Sequence, residues 1–143
     1  MPIYLYDRKR GSYALLHSGW KGTGILECAL EILTEHLGSS VVDLHVLLAP
    51  AIGSCCYRVD RERADCFEEA WGERAVLRAS DGPYLDLREA NLGILERWGV
   101  EDVIVVQDCT SCGPAFGSFR AEGPEAFTHM CALFPRPDLR EQM

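Results

Sequence analysis

His17 closes an apolar run in the stretch LLHSGWKGTGIL, residues 15–26, and is followed at once by Gly19, Trp20, Lys21, Gly22 and Gly24. Glycines let a backbone approach a ligand closely. The turn they make leads into a helix expected over 25–37, whose free N-terminal amides and dipole favour an anion, and Lys21 adds a full positive charge. The order Trp-Lys-Gly-Thr is not a phosphate-binding Walker loop, which needs Gly-Lys followed directly by Ser or Thr. Spacing alone fits a tight strand-to-helix turn, with His17 hydrogen-bonded at a sheet edge, better than a ligand cradle. Arg120, just after Phe116-Gly-Ser-Phe119, is a second candidate: a cation between aromatics can grip phosphate or carboxylate. On residue type alone a surface salt bridge is slightly favoured there.

Cys109-Thr-Ser-Cys112 has the spacing of zinc ligand pairs and of thiol redox centres. A structural zinc needs four ligands, and Cys55–Cys56 are adjacent, a poor second pair because neighbouring side chains on a strand diverge. A thioredoxin-type pair should open a helix, whereas Cys112 is followed by Gly-Pro. Chemically quiet, partly buried thiols are the expectation for this group. His45 within an apolar strand and His129 within a last helix read as structural residues, and His36 complements a helix end.

These residues need elements to hold them. Ile3–Tyr6 and Ser12–His17, joined by the polar turn Asp7–Gly11, predict a hairpin that puts His17 at a strand end. The stripe Ile25, Ala29, Ile32, Leu33 predicts an amphipathic helix over 25–37, with Thr23 as cap and Gly38 as stop. Val41–Leu48 reads as a strand ended by Pro50 and Gly53. Helices follow over Asp60–Trp71 and, from the cap Asp86, over Leu87–Trp98 to Gly99. Between them lie a short strand Ala75–Arg78 and a turn Asp81–Gly82–Pro83. Val103–Gln107 is a further strand, 108–123 a long ordered loop, and Pro124 the first residue of a last helix. Irregular alternation with a hairpin predicts a mixed α+β fold.

The 143 residues, 48% hydrophobic and 25% charged, suit one domain spanning 1–143. A formal charge of −8 works against a nucleic-acid or anionic-membrane partner. The N-terminus is not patterned as a secretory signal and no apolar run approaches the length of a membrane span, so a cytoplasmic location is expected. Seven cysteines at irregular spacing argue against a disulfide framework.

His17-Ser-Gly-Trp-Lys-Gly-Thr23, Pro50-Ala-Ile-Gly-Ser-Cys-Cys-Tyr57, Asp86-Leu-Arg-Glu-Ala-Asn91, and Cys109-Thr followed by Phe116-Gly-Ser-Phe-Arg120 together resemble, in order and spacing, one bacterial family. It is the polyphenol oxidase or laccase-like family, also described as zinc-dependent purine nucleoside phosphorylases with adenosine deaminase activity. The resemblance implies α/β/β/α layering with a mixed sheet and a nucleoside pocket at a metal held by two histidines and one cysteine. His17 corresponds to one of those ligands. The other two belong to Val-His-Gly and Ala-Asp-Cys-x-Pro motifs that precede this segment in the family and are absent here.

The resemblance implies catalytic roles for His17, Lys21 and Arg120, with Lys21 and Arg120 as anion contacts. It places Gly19, Trp20, Gly53, Cys55, Phe116 and Phe119 at the substrate. Zinc is the implied cofactor, with a purine nucleoside and phosphate as partners. A lone imidazole holds zinc too weakly, so this chain is expected to lack the complete metal site unless other residues replace the missing ligands. The chain departs from the family at Arg58, where glutamate is usual, and in Phe-Gly-Ser-Phe-Arg-Ala in place of Phe-Ser-Tyr-Arg-Arg. The alternative to an incomplete metalloenzyme is a truncated, non-catalytic remnant that folds without a metal. Either form is expected to self-associate, or to bind a missing N-terminal half, over the surface that half would cover. Thiol redox through Cys109 and Cys112 ranks third.

Overall fold

The computed structural model describes residues 1–125 and 128–134. The hairpin forms where the alternation places it: β1 (Pro2–Asp7) and β2 (Tyr13–His17) pair antiparallel, with Pro2 opposite His17. Asp7 closes the connecting turn, its buried carboxylate accepting from the Lys9 and Arg10 amides at 2.8 and 3.0 Å. β1 also pairs antiparallel with β3 (Leu44–Leu48), and β3 pairs parallel with β6 (Asp102–Val105). The sheet order is therefore β2-β1-β3-β6, a mixed sheet in an α+β fold.

Alternation decides the sheet's two faces. Ile3, Leu5, Leu44, Val46 and Leu48 are buried in one core cluster with Leu26 and Leu30 of α1 (Ile25–Glu31), Phe67 of α2 (Arg61–Trp71), and Ile94 and Leu95 of α3 (Leu87–Trp98). The other face carries Tyr4, Tyr13, Leu15 and Ile104. Phe134 stacks on Tyr13 at 4.9 Å and tilts against Tyr4 at 5.7 Å, yet Tyr13, Leu15 and Ile104 stay 47%, 38% and 62% exposed. One sheet with helices on one face is half of an α/β/β/α stack.

Several local expectations need correction. Thr23 does not cap α1: Gly24 occupies that position, and the Thr23 hydroxyl donates back to the Gly19 carbonyl at 2.9 Å. The helix continues beyond Glu31 as a π-turn over Ile32–His36, where the Thr34 hydroxyl donates to the Leu30 carbonyl at 2.9 Å and competes with the regular ladder. Val41–Asp43 is a 3₁₀ turn, so the strand starts only at Leu44. The expected turn at Gly82–Pro83 is already strand: β4 (Val76–Ala79) and β5 (Gly82–Leu85) pair antiparallel with Pro83 opposite Arg78, and the Pro83 carbonyl accepts from Val59 N, outside the pair, at 3.0 Å.

The end of the chain differs most. α4 (Phe119–Glu122) interrupts the long loop, Gly123 leaves it at φ +84°, and Pro124–Glu125 form a turn rather than a helix start. The Glu122 carboxylate accepts from Ser118 N at 2.6 Å and from the Thr128 amide and hydroxyl at 2.9 and 2.8 Å, which draws the following segment back over Gly117. Residues 128–134, His129 among them, have no regular secondary structure, and residues 126 and 127 of the expected helix lie outside the described ones.

Candidate functional site

A cavity of about 1130 Å³ opens at the end of the sheet where β2 stops. Its wall takes His17 and Trp20 from the turn after β2, Tyr57 from the segment after β3, Arg63 from α2, and Phe116, Phe119 and Arg120 from the late loop. The turn that carries His17 is anchored from below. Ser18 is fully buried, its hydroxyl accepts from the Asn91 amide at 3.0 Å, and the same amide donates to the Leu87 carbonyl at 2.7 Å. Asn91 lies on α3, so the helix fixes the strand end on which His17 stands.

His17 is exposed, and a Cβ on Gly19 would lie 3.7 Å from its Nε2. The Met1 ammonium, and after it burial, lower the imidazole pKa, which favours the neutral ring. The Arg63 guanidinium lies 4.5 Å from the centre of the Trp20 ring, and Arg120 lies 5.3 Å from that of Tyr57. Burial raises the Tyr57 phenol pKa against the opposing pull of Arg120 and Arg63. The cavity therefore presents two cations laid on aromatic faces.

The residues picked out in the sequence divide between two places. His17, Trp20, Phe116, Phe119 and Arg120 share this wall. Lys21 is not on it: the ammonium is exposed and sits 5.2 Å from the Trp20 ring centre. Arg58, a departure from the family pattern, faces the β4–β5 hairpin, where it donates to the Asp81 carbonyl. Arg63 and Asn91 carry roles that no motif reading assigned. Asp60 opens α2 as the sequence predicts, its carboxylate accepting from Arg63 N at 2.8 Å, and the place of Arg63 in the first turn of that helix is the signal the sequence offers for it.

Gly53 and Cys55 lie elsewhere, in a cluster formed by Cys55, Cys56, Cys109 and Cys112, whose Sγ atoms all fall within 4.8 Å of one another. This overturns the objection to Cys55–Cys56 as a pair: the two sit on a turn after β3, where successive side chains can converge, and not on a strand. Cys55 and Cys112 are exposed rather than buried. Burial raises the Cys109 thiol pKa, but the Gly53 and Ser111 amides and the neighbouring Cys112 and Cys55 thiols outweigh it and bring the pKa down to about 7. Burial, followed by contacts with Cys112 and Cys109, pushes Cys55 up to about 11.

Among the described residues this is the one group of three or more His, Cys, Asp or Glu side chains placed to hold a metal ion, and His17 is not part of it. The described residues thus do not complete a metal site at His17. Also among them, no helix is long and apolar enough to cross a membrane.

The family profile described as multi-copper polyphenol oxidoreductase laccase matches residues 1–133. Mouse purine nucleoside phosphorylase LACC1 is 33% identical over 125 residues, which cover 80% of this chain and 28% of that protein. Purine nucleoside phosphorylase YlmD of Geobacillus stearothermophilus is 37% identical over 125 residues, covering 80% of this chain and 45% of the relative. Adenosine deaminase RL5, from an unknown prokaryotic organism, is 29% identical over 120 residues, 78% of this chain and 45% of that protein. The crystal structure of YlmD from Geobacillus stearothermophilus superposes with a TM-score of 0.77 at 35% identity, over 84% of this chain and 48% of that one. The Bacillus licheniformis protein YfiH superposes with a TM-score of 0.74 at 34% identity, again over 84% and 48%. The chain spans half or less of the length of each of these relatives. With a profile match that leaves out only its last ten residues, the chain belongs to the multi-copper polyphenol oxidoreductase laccase family.

Proposed function

We propose that this chain carries the nucleoside- and phosphate-binding wall of a purine nucleoside phosphorylase. The observation that carries the reading is the convergence of His17, two aromatic-backed arginines and further aromatic rings on one cavity. The names of the relatives point to the same substrate class. Trp20, Tyr57, Phe116 and Phe119 offer ring faces and edges to a purine. Arg63 and Arg120 hold phosphate by charge-assisted hydrogen bonds, and neutral His17 accepts a hydrogen bond from a sugar hydroxyl. In phosphorolysis a phosphate oxygen bonds to C1′ while the bond from C1′ to the purine nitrogen breaks. The base leaves with the electron pair and takes up the proton that the phosphate gives up, giving free purine and ribose 1-phosphate. Cations fixed beside the phosphate orient this exchange without reorganisation at the moment of reaction.

Zinc at His17 and adenosine deamination belong to the family reading and need donors beyond those described here. The isolated position of His17 favours a second reading, in which the 143 residues fold without turnover. Release of base from adenosine or inosine, measured with and without phosphate, separates the two. Phosphate-dependent release that falls at least about tenfold in Arg120→Ala, equivalent to about 1.4 kcal/mol, supports the phosphorylase. Unchanged phosphate dependence in an Arg63→Ala, Arg120→Ala double variant removes both cations from the mechanism. No release of base and no metal at His17 leave the non-catalytic reading standing.

A further inference from the structure

We propose that Cys55, Cys56, Cys109 and Cys112 bind one thiophilic divalent cation, zinc in four-thiolate coordination, as a structural clasp between the turn after β3 and the loop after β6. The site is distinct from the cavity, since none of the four cysteines lines its wall.

Geometry supports it first. Cys112 Sγ lies 3.4 Å from Cys55 Sγ and 3.5 Å from Cys56 Sγ, and no pair in the group exceeds 4.8 Å. A tetrahedral zinc with Zn–S of about 2.3 Å sets its sulfurs about 3.8 Å apart, inside that span. Four soft donors select zinc over hard cations such as calcium or magnesium, and four protein ligands leave no open position, which makes the site structural. The backbone already holds one ligand in place: Cys109 Sγ accepts from Gly53 N at 3.2 Å and from Ser111 N at 3.4 Å, the kind of outer contact that orients a metal-bound thiolate.

Charge supplies an independent reason. Zinc with four thiolates is doubly negative, and a buried cation stands next to it. Arg88 is 8% exposed and donates to the carbonyls of Val106, Ala51 and Asp108, with no ion pair among the described residues. A buried guanidinium without a counter-charge is costly. A Cβ on Gly53 would lie 3.2 Å from Arg88 Nη1 and 3.3 Å from Cys55 Sγ, so the cation and the sulfurs meet on two sides of a residue with no side chain. The clasp also has a mechanical consequence: Thr110 lies between two of the ligands and, with Phe116 farther along the same loop, lines the cavity.

The test uses the full 143-residue chain, purified under reducing conditions, loaded with Zn²⁺ and passed over a weak chelator. About one zinc per chain is expected, with X-ray absorption reporting four sulfurs at about 2.3 Å. His17→Ala should keep that zinc, which separates this site from the family's metal, and Cys112→Ser should lose most of it. Thiol alkylation checks the same point without a variant. Each of the four ligands should react at least tenfold more slowly in the loaded chain than the same thiol does after a strong chelator, while Cys28, Cys66 and Cys131 react at the same rate in both. Zinc that leaves the wild-type chain on the weak chelator, alkylation of the four thiols at the same rate with and without the strong chelator, or a mass deficit marking a disulfide within the cluster would overturn the proposal.

Discussion

Asn91 and Ser18, both fully buried, hold the turn beneath His17. Asn91→Ala should cost about 1–3 kcal/mol by leaving the buried Ser18 hydroxyl without its side-chain partner, measured as a drop in urea midpoint with unchanged m-value. Asp7 makes a second residue-level prediction. Burial raises its pKa, but the neighbouring Ser39 hydroxyl, the Arg10 and Lys9 amides and the Arg10 charge outweigh this and leave it below the usual aspartate range. A depressed folded pKa stabilises the protein above the unfolded value, about 3.9, and that contribution is lost as pH falls through the folded value. Stability of the wild type should therefore fall through this acid window, and Asp7→Asn should be less stable at pH 7 while showing a shallower acid slope. Equal slopes would remove the assignment.

At the level of elements, caps and turns decide where the site residues land. Asp86 accepts from the Arg88 and Glu89 amides at the start of α3 and, through its other oxygen, from the Ser54 hydroxyl at 2.8 Å. One carboxylate thus fixes both α3 and the turn that presents Cys55 and Cys56. Asp86→Ala should cost about 1–2 kcal/mol as a lost cap and, unlike loss of an isolated cap, should also speed alkylation of the Cys55 and Cys56 thiols. The cap was legible in the sequence because Asp before an apolar stripe has a local cause, and so were the β1–β2 hairpin, α2 and α3. The cysteine cluster was not: Cys55 and Cys112 stand 57 residues apart, and whether Cys55–Cys56 diverge depends on a turn whose backbone no local pattern announces. The end of the chain misled for the same reason. Pro124 suits the first turn of a helix, but Glu122 takes Thr128 and folds the segment back onto Gly117, where any Cβ would overlap the Thr128 carbonyl. Of the candidate site, the motif residues at its rim could be read directly, while Arg63 needed the packing of α2.

For the molecule as a whole, the imbalance between the two sheet faces sets the last prediction. The helix-covered face holds the core, whereas the opposite face combines Tyr4, Tyr13, Leu15 and Ile104, with Phe134 as the aromatic cover at its β2 side. Exposed apolar side chains on a sheet face favour association when they are contiguous, and β2 is in addition an edge strand with one side unpaired. The chain should therefore sediment as a dimer or larger species at micromolar concentration. Leu15→Lys and Ile104→Lys, which place charge on this face without touching the buried one, should shift it toward monomer with little change in melting temperature. If the face is where copies meet, the same substitutions leave the Cys55–Cys112 cluster and its alkylation pattern untouched, because that cluster is carried by the segments that follow β3 and β6 and not by this face of the sheet. A wild-type chain that sediments as a monomer throughout that range would refute association through this face.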